Sequence, residues 1–258
     1  MRRFLVQSQD RAGKALAAAG GGVAPKGGDG GGGAGGRKPP PGKPRGAARP
    51  APGAEGRTEL GDGAWVSYRR GGLGDGAARA LFRALAAEVD WRQVQLTVFG
   101  RAVDQPRLVS YMADDPDDPR MVLRYSGAAL APERWHPGVL GAKRALEEMS
   151  GATFNSCLLN LYRDGGDSCA WHADDEALYG RDPVIGSASL GATREFLLRS
   201  NRDRGRKVSF PLGNGDLLVM GGACQHAWMH SVPKRRGVAG ARINLTFRRV
   251  FPELNRGG

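Results

Sequence analysis

The hydrophobic pattern divides the chain into three parts. Residues 1–57 contain few large apolar side chains. From Ala77 to Val89 apolar side chains recur at helical spacing, which predicts an amphipathic helix. Gly138 to Met149 predicts a second helix, closed by the Ser-Gly pair that follows it. Beyond residue 154 the apolar runs are short and separated by turn residues, as is typical of strands.

Short strands dominate the predicted structure. Gly213 to Asp216 separates two of them and reads GNGD, a good signal for a β-hairpin. Many short strands separated by turn residues favour a sandwich or jelly roll over a parallel α/β sheet. We therefore predict one mostly β domain with flanking helices over residues 58–258. The predicted strands span 64–68, 91–99, 106–111, 122–125, 157–162, 187–190, 195–199, 208–212, 217–220 and 242–250.

Residues 1–57 have the composition of a disordered, basic N-terminal arm. From Gly20 to Gly56 the chain is mainly Gly, Pro, Ala, Lys and Arg, and such a segment cannot bury a core. Residues 1–19 carry arginines and suit either an organelle transit peptide or a disordered terminus. The arm either adds nonspecific attraction for phosphates or serves only solubility.

The charge of the chain favours a polyanionic partner. The net charge is +12, and residues 1–60 supply +7 of it through eleven Lys/Arg and four Asp/Glu. Such an excess suits nucleic acid or an anionic membrane surface. No apolar run approaches the roughly 20 residues that span a bilayer. Three cysteines without C-x-x-C spacing predict reduced thiols in an intracellular protein.

A His-x-Asp pair is the first candidate for chemistry. If His172 and Asp174 lie on one strand, their side chains point to the same face. A useful metal site needs a third ligand from elsewhere, and His230 is the best candidate. Two histidines and one carboxylate on one face of an octahedral metal form the facial triad of non-haem Fe(II) oxygenases.

The last predicted strand carries a polar face. Its polar residues could form the wet outer face of an ordinary half-buried strand. Two arginines flanking Asn and Thr would also suit a ligand with two carboxylates, because guanidinium grips a carboxylate bidentately. Asn160 and Tyr162 share a face of another predicted strand and can each donate a hydrogen bond. The polar residues of the last strand are Arg242, Asn244, Thr246 and Arg248.

Five motifs in order along the chain resemble the AlkB family of Fe(II)/2-oxoglutarate-dependent nucleic-acid demethylases. The resemblance covers about residues 60–252 and is closest to the branch of AlkB homologues 2 and 3. The motifs are N-x-Y-x-D at Asn160–Asp164, H-x-D-D-E at His172–Glu176, S-x-S-L-G-A-T-R-x-F at Ser187–Phe196, W-x-H-x-V-P at Trp228–Pro233 and R-x-N-L-T-F-R at Arg242–Arg248.

This resemblance implies a double-stranded β-helix, or jelly-roll, core and a set of roles. His172, Asp174 and His230 would bind Fe(II). Arg242 would bind the distal carboxylate of 2-oxoglutarate, and Arg248 would bind the carboxylate beside the keto group. With O₂ as oxidant, the reaction would yield succinate, CO₂, formaldehyde and a repaired base. The residues expected to complete the 2-oxoglutarate pocket are Asn160, Tyr162, Asn244 and Thr246.

The resemblance also implies substrate contacts, each with a plainer alternative. Tyr125 would stack the base against His172, or would simply pack in the core. Asp175 would accept from the exocyclic amine of the damaged base, or would be a surface acid. Phe99 resembles the wedge that the duplex-acting branch inserts between bases. The sequence around His172 instead resembles the branch that prefers single strands, so strand preference stays open.

Other polar residues suggest further sites. His226 and His230 are four apart, but the surrounding residues do not match a helical zinc motif. His136 is expected to be structural. Surface arginines could contact phosphates, and the candidates are Arg101, Arg107, Arg124 and Arg194.

The leading hypothesis is therefore an enzyme that removes N-alkyl lesions of the 1-methyladenine and 3-methylcytosine type from single- or double-stranded DNA, with RNA as a further substrate. The alternatives are a 2-oxoglutarate-dependent protein hydroxylase and a non-catalytic nucleic-acid-binding module. We expect a monomer without a membrane partner. The basic arm and a repair role favour the nucleus, with organelles and cytoplasm as alternatives.

Overall fold

A computed structural model describes residues 51–98, 100–125 and 128–255. This part of the chain forms fifteen strands, two long α-helices, one single-turn α-helix and three short 3₁₀ helices. The prediction of a mostly β fold with flanking helices is confirmed. The helices are α1 Asp75–Glu88, α2 Pro137–Ser150 and α3 Cys224–Ala227. The strands are β1 Ala51–Pro52, β2 Gly56–Gly61, β3 Ala64–Arg69, β4 Arg92–Val98, β5 Arg101–Ala113, β6 Leu123–Tyr125, β7 Ala128–Leu130, β8 Ser156–Tyr162, β9 Cys169–His172, β10 Ile185–Gly191, β11 Arg194–Ser200, β12 Lys207–Leu212, β13 Leu217–Gly222, β14 Trp228–Val232 and β15 Arg242–Arg248.

Most of the strands form two sheets. The major sheet has the strand order β2-β3-β13-β10-β15-β8-β5-β4. The minor sheet has the order β1-β12-β11-β14-β9, and β6 and β7 form a separate ribbon. Except for the parallel pair β1 and β12, the neighbours within the sheets are antiparallel. This arrangement is that of a jelly roll.

The two long helices cover the outer face of the major sheet. Leu85 of α1 and Leu146 of α2 are fully buried and share a hydrophobic cluster with Leu159 and Leu245 of the sheet. These positions follow the helical spacing seen in the sequence, because one stripe of each helix faces the sheet. Neither helix is long and apolar enough to cross a membrane, within the chain that the structure describes.

Strand β13 shows how the other face of the major sheet forms the interior of the sandwich. Its residues alternate, so Leu217 and Val219 pack under the helices. Leu218 and Met220 belong instead to a cluster that includes Phe210 of the minor sheet. The space between the two sheets is therefore the place where inward-facing polar side chains can meet, away from bulk water.

The turn at Gly213–Asp216 is not a hairpin. It connects β12 of the minor sheet with β13 of the major sheet, so the sequence prediction was wrong in this place. The β12 strand pairs with β11, and β13 pairs with β3 and β10, so the two strands do not pair with each other. Asp216 fixes this crossover by accepting hydrogen bonds from the Tyr68 hydroxyl at 2.9 Å and the Gly213 backbone N–H at 2.8 Å.

The ends of several elements differ from the prediction. The predicted strand at 106–111 begins earlier in the structure, at Arg101, because β4 and β5 form a long hairpin. At the N-terminus, β1 and the first residues of β2 fall within the range 1–57 that we predicted as an arm. Ala51 is therefore part of the minor sheet, and residues 1–50 of the predicted arm lie outside the described residues.

A close backbone approach between the loop after β8 and the segment before β15 gives a stability prediction. Gly165 donates to the Val238 carbonyl and accepts from the Arg235 backbone N–H, both at 2.7 Å, and a β-carbon here would overlap the Arg235 carbonyl oxygen. Because backbone cannot rotate away as a side chain can, we expect Gly165→Ala to lower the free energy of unfolding by about 1–3 kcal/mol. Urea denaturation measures this. Gly237→Ala, which has open space at its β-carbon, is the control, and equal losses in both variants would contradict the prediction.

Candidate active site

Three candidate metal ligands meet between the two sheets. His172 is the last residue of β9, and His230 lies opposite it on β14. The ligand atoms of His172, Asp174 and His230 all lie within 4.8 Å of one another. Nε2 of His172 is 3.9 Å from Oδ1 of Asp174. The arrangement predicted from residue types is thus present, and two imidazoles with one carboxylate suit a non-haem Fe(II) site.

One step of the sequence argument was wrong. Asp174 does not share a strand with His172, because β9 ends at His172 and the next residues form a loop. Side chains from other elements hold this loop instead. The backbone N–H of Asp174 donates to Oε1 of Gln225 at 3.0 Å, and Arg248 donates to Oδ1 of Asp174 at 2.9 Å.

The ring of His172 is oriented by its own strand. Its Nδ1 lies 2.9 Å from the carbonyl oxygen of Ala170, which accepts a hydrogen bond when Nδ1 carries the proton. A proton on Nδ1 leaves the Nε2 lone pair of a neutral ring available to a metal. The thiol of Cys169 also lies close, with Sγ 3.6 Å from Nδ1.

Electrostatics prepare two of the ligands for a cation. Burial alone would raise the pKa of Asp174, but Arg248 and the two histidines outweigh it and lower the pKa to about 2. Burial and the neighbouring His172 lower the pKa of His230 to about 3. At neutral pH Asp174 is therefore ionised and His230 is neutral, which are the states that a metal requires. Burial lowers the pKa of His172, but Cys169 and Asp174 outweigh that effect and raise it to about 9.

The polar face of β15 lies inside the sandwich and is not a wet outer face. Arg242 and Arg248 are 1% and 5% exposed, and the strand's apolar residues point to the helices. Tyr162 lies across from Arg242 on β8, with the guanidinium carbon 5.3 Å from the ring centre. Arg242 donates to Asn244 at 2.7 Å and to Ser189 at 2.8 Å.

One cavity joins the three candidate metal ligands to most of the predicted 2-oxoglutarate residues. Arg248 lines it directly, beside Asp174. Arg242 does not line it and contacts Asn244, which does. The lining includes Asn160, Tyr162, His172, Asp174, His230, Asn244, Thr246 and Arg248.

Buried polar atoms in this region fit an anionic ligand and a cation. Among the described residues, Nε and Nη1 of Arg242, Nε of Arg248 and Oδ2 of Asp174 are buried and have no hydrogen-bond partner. Buried polar groups without partners are uncommon and costly. Arg242 has only neutral oxygen acceptors, and its burial lowers the guanidinium pKa to about 10. A carboxylate would supply the missing acceptors, and a metal ion would use the free oxygen of Asp174.

Two arginines predicted to contact phosphates lie inside the protein. Arg107 lines the cavity and donates to Oδ1 of Asn160 at 2.7 Å. Arg194 is 1% exposed and donates to the backbone carbonyls of Asp164, Asp167 and Pro233 at 2.7–2.9 Å. Both guanidinium groups are buried and donate to protein oxygens, so neither is available to a phosphate. The other candidates, Arg101 and Arg124, are exposed.

Several residues of the site were given no role in the sequence analysis. Gln225 lies in α3 without any motif spacing to mark it. Ser187 and Ser189 share a face of β10, and their hydroxyls donate to Asn244 or accept from Arg242. The S-x-S spacing on a predicted strand could have indicated them. Phe196 also lines the cavity, with its ring 5.3 Å from that of His230.

The two remaining histidines lie outside the triad. His226 is exposed in α3, whereas His230 lies on a strand, so the pair does not form a helical zinc site. His136 caps the N-terminus of α2 by accepting from the Gly138 backbone N–H at 3.1 Å, the structural role expected of it.

The candidate substrate residues are placed less fully. Asp175 is exposed and directly follows the candidate ligand Asp174. Tyr125 ends β6, and its backbone pairs with Ala128 of β7. The side chain of Tyr125 and all of Phe99 lie outside the described residues, so both roles stay predictions.

Comparison with known proteins places this site in a family. Residues 66–248 match the family described as the 2OG-Fe(II) oxygenase superfamily. The chain is 40% identical over 185 residues to alpha-ketoglutarate-dependent dioxygenase alkB homolog 3 of Bos taurus, covering 68% of this chain and 63% of that protein. It is 36% identical over 218 residues to DNA oxidative demethylase ALKBH2 of Arabidopsis thaliana, covering 75% and 68%.

Two further matches concern length and fold. DNA oxidative demethylase ALKBH2 of Mus musculus is 32% identical over 225 residues, covering 80% of this chain and 92% of that protein. The chain spans only 63% of the bovine alkB homolog 3 named above. The solved structure of OsALKBH1 has a TM-score of 0.50 at 19% identity and covers 74% of this chain and 100% of that one, which shows a shared fold.

Proposed function

The chain belongs to the AlkB family within the 2OG-Fe(II) oxygenase superfamily, and on this basis we propose that it removes N-alkyl groups from damaged bases in DNA. The family depends on Fe(II), 2-oxoglutarate and O₂. Bases of the 1-methyladenine and 3-methylcytosine type are the proposed substrates. The names of the relatives, alkB homolog 3 and DNA oxidative demethylase ALKBH2, support the substrate class.

One observation carries the proposal more than any other. A single cavity contains His172, Asp174 and His230 together with the guanidinium of Arg248. A binding module without catalysis has no need of an ionised carboxylate and a neutral imidazole beside a buried arginine with an unpaired nitrogen. Perturbed ionisable groups gathered in one cavity favour an active site.

The chain's own residues would bind the reactants and orient them. His172, Asp174 and His230 would hold Fe(II). Arg248 would bind the 2-oxoglutarate carboxylate nearest the metal, and Arg242 the distal one. Fe(II) held there would supply the oxidation of the methyl group by O₂, coupled to loss of CO₂ from 2-oxoglutarate, and the hydroxymethylated base would then release formaldehyde. The residues proposed to complete the 2-oxoglutarate pocket are Asn160, Tyr162, Asn244 and Thr246.

Chemistry on a base requires that the base leave the stack and enter a pocket. In this proposal Tyr125 and His172 flank the base, and Asp175 accepts from its exocyclic amine. In a duplex, Phe99 would fill the gap that the flipped base leaves in the stack. The net charge of +12 would attract the DNA backbone, so binding should weaken as salt rises.

A methylated-oligonucleotide assay tests the function. The full chain is incubated with Fe(II), ascorbate, 2-oxoglutarate and an oligonucleotide carrying 1-methyladenine or 3-methylcytosine, in single- and double-stranded form. We expect loss of the methyl group together with equimolar succinate and formaldehyde, and faster repair of one form would assign the strand preference. The same assay with a methylated RNA strand of the same sequence tests whether RNA is also a substrate. Succinate without demethylation would contradict the proposal and favour protein hydroxylation, and neither product would favour a binding module.

Two broader properties belong to the same proposal. We propose that the protein acts in the nucleus as a monomer, since a basic arm and a repair substrate suit that compartment. Imaging of the tagged full chain in cells and light scattering of the purified protein test the two statements. Exclusion from the nucleus, or a mass of two chains, would contradict them.

A further inference from the structure

The ligand Asp174 depends on a side chain from a different element. Asp174 lies in a loop, so no neighbouring strand fixes its backbone. Its backbone N–H donates to Oε1 of Gln225 at 3.0 Å. Gln225 is 1% exposed and lies in α3, which leads directly into the strand of His230. The glutamine therefore connects the segments that carry two of the three candidate ligands.

We propose that Gln225 is a positioning residue of the metal centre. This inference rests on the proposed Fe(II) site and assigns a residue outside the triad and the 2-oxoglutarate pocket. Arg248 orients the carboxylate of Asp174, and Gln225 fixes the backbone from which that carboxylate projects. The remaining amide nitrogen of Gln225 lies 3.7 Å from Sδ of Met220, a weak acceptor, so the strong hydrogen bond of its side chain is the one to Asp174.

Removing the acceptor should loosen the loop without removing a ligand. In Gln225→Met the side chain keeps its length and apolar packing but loses the carbonyl oxygen. The Asp174 N–H is then buried without a partner and the loop can rotate. Groups that support metal ligands typically change affinity by about 10- to 100-fold when they are replaced. We expect Gln225→Met to weaken metal binding to this extent while the apo protein keeps its fold.

Titration with Co(II) under anaerobic conditions, followed by visible absorption, tests the proposal on the full chain. Gln225→Asn is the second variant, because it keeps the amide but withdraws the carbonyl by one methylene group. Asn201→Ala is the matched control, since Asn201 donates to the His226 carbonyl of the same helix at 2.8 Å without contacting Asp174. Circular dichroism and thermal melting of the apo proteins report on folding.

The outcomes distinguish a failure of the positioning role of Gln225 from a failure of the proposed metal site. Weaker Co(II) binding and an altered spectrum in both Gln225 variants, with Asn201→Ala unchanged, would support the positioning role. Affinity within twofold of wild type in a folded Gln225→Met or Gln225→Asn protein would overturn it. If the wild-type chain itself binds no Co(II), the metal centre is wrong and the role of Gln225 is wrong with it.

Discussion

Replacing His230 with alanine is expected to abolish both metal binding and demethylation. His230 supplies one of the three protein ligands in the proposed centre, and its side chain is buried between the sheets. The loss should exceed the roughly 10- to 100-fold change that follows replacement of groups around a metal ligand. Isothermal titration with Fe(II) under anaerobic conditions and the oligonucleotide assay measure the two effects.

The matched control for this variant lies four residues away. His226 is exposed on α3, and its ring lies beside Asp182 and the Arg181 carbonyl, away from the triad. His226→Ala should bind Fe(II) and turn over like the wild type. Equal losses in the two variants would indicate that the effect is one of general stability, and an active His230→Ala protein would remove the basis of the proposed function.

Breaking the pair of Asp174 and Arg248 is expected to destabilise the apo protein strongly. The two side chains are each 6% exposed and joined at 2.9 Å. Removing one partner leaves the other as an uncompensated buried charge, which typically costs about 3–5 kcal/mol. We therefore expect Asp174→Asn and Arg248→Met each to lower the free energy of unfolding by about this amount. Urea denaturation of the metal-free proteins gives the values.

The double variant distinguishes a coupled pair from two independent contacts. Asp174→Asn with Arg248→Met leaves no unpaired charge at this place, so its loss should be well below the sum of the single losses. The lowered pKa of Asp174 gives a second check. The deficit of Asp174→Asn should be complete above about pH 4, near the ordinary carboxyl pKa, and should disappear as pH falls through about 2, because the wild-type carboxylate is then protonated too. Additive losses would contradict the coupling.

The sequence was most informative where chemistry restricts the choice of residue. A facial triad needs histidine and a carboxylate, and a dicarboxylic acid suits arginines, so residue types made His230 and Arg248 candidates, and the structure places both beside Asp174. The polar face of β15 could also be located by alternation. The burial of this face could not be predicted, because the same alternation describes a strand with a solvent-exposed face. Only the second sheet, which covers the polar face, distinguishes a buried face from an exposed one.

Tertiary environment accounts for the errors. The sequence does not show whether an arginine on a strand faces solvent or protein oxygens, so Arg107 and Arg194 were predicted to contact phosphates. The Gly-rich turn at Gly213–Asp216 specifies a reversal of direction but not which strands pair. For Asp174, spacing alone could not show that β9 ends at His172. Gln225, which accepts a hydrogen bond from the backbone N–H of Asp174 in place of a strand partner, lies about fifty positions further along the chain.

The pairing of β1 with β12 determines how far the chain can be shortened before an edge of the minor sheet is uncovered. Ala51 and Pro52 cover the edge of the minor sheet opposite to β9, and the Gly53 N–H donates to the Ser209 carbonyl. A truncated protein that begins at Ala51 retains this cover. One that begins at Thr58 exposes the backbone of β12 as a free edge, and free edges recruit other strands into aggregates.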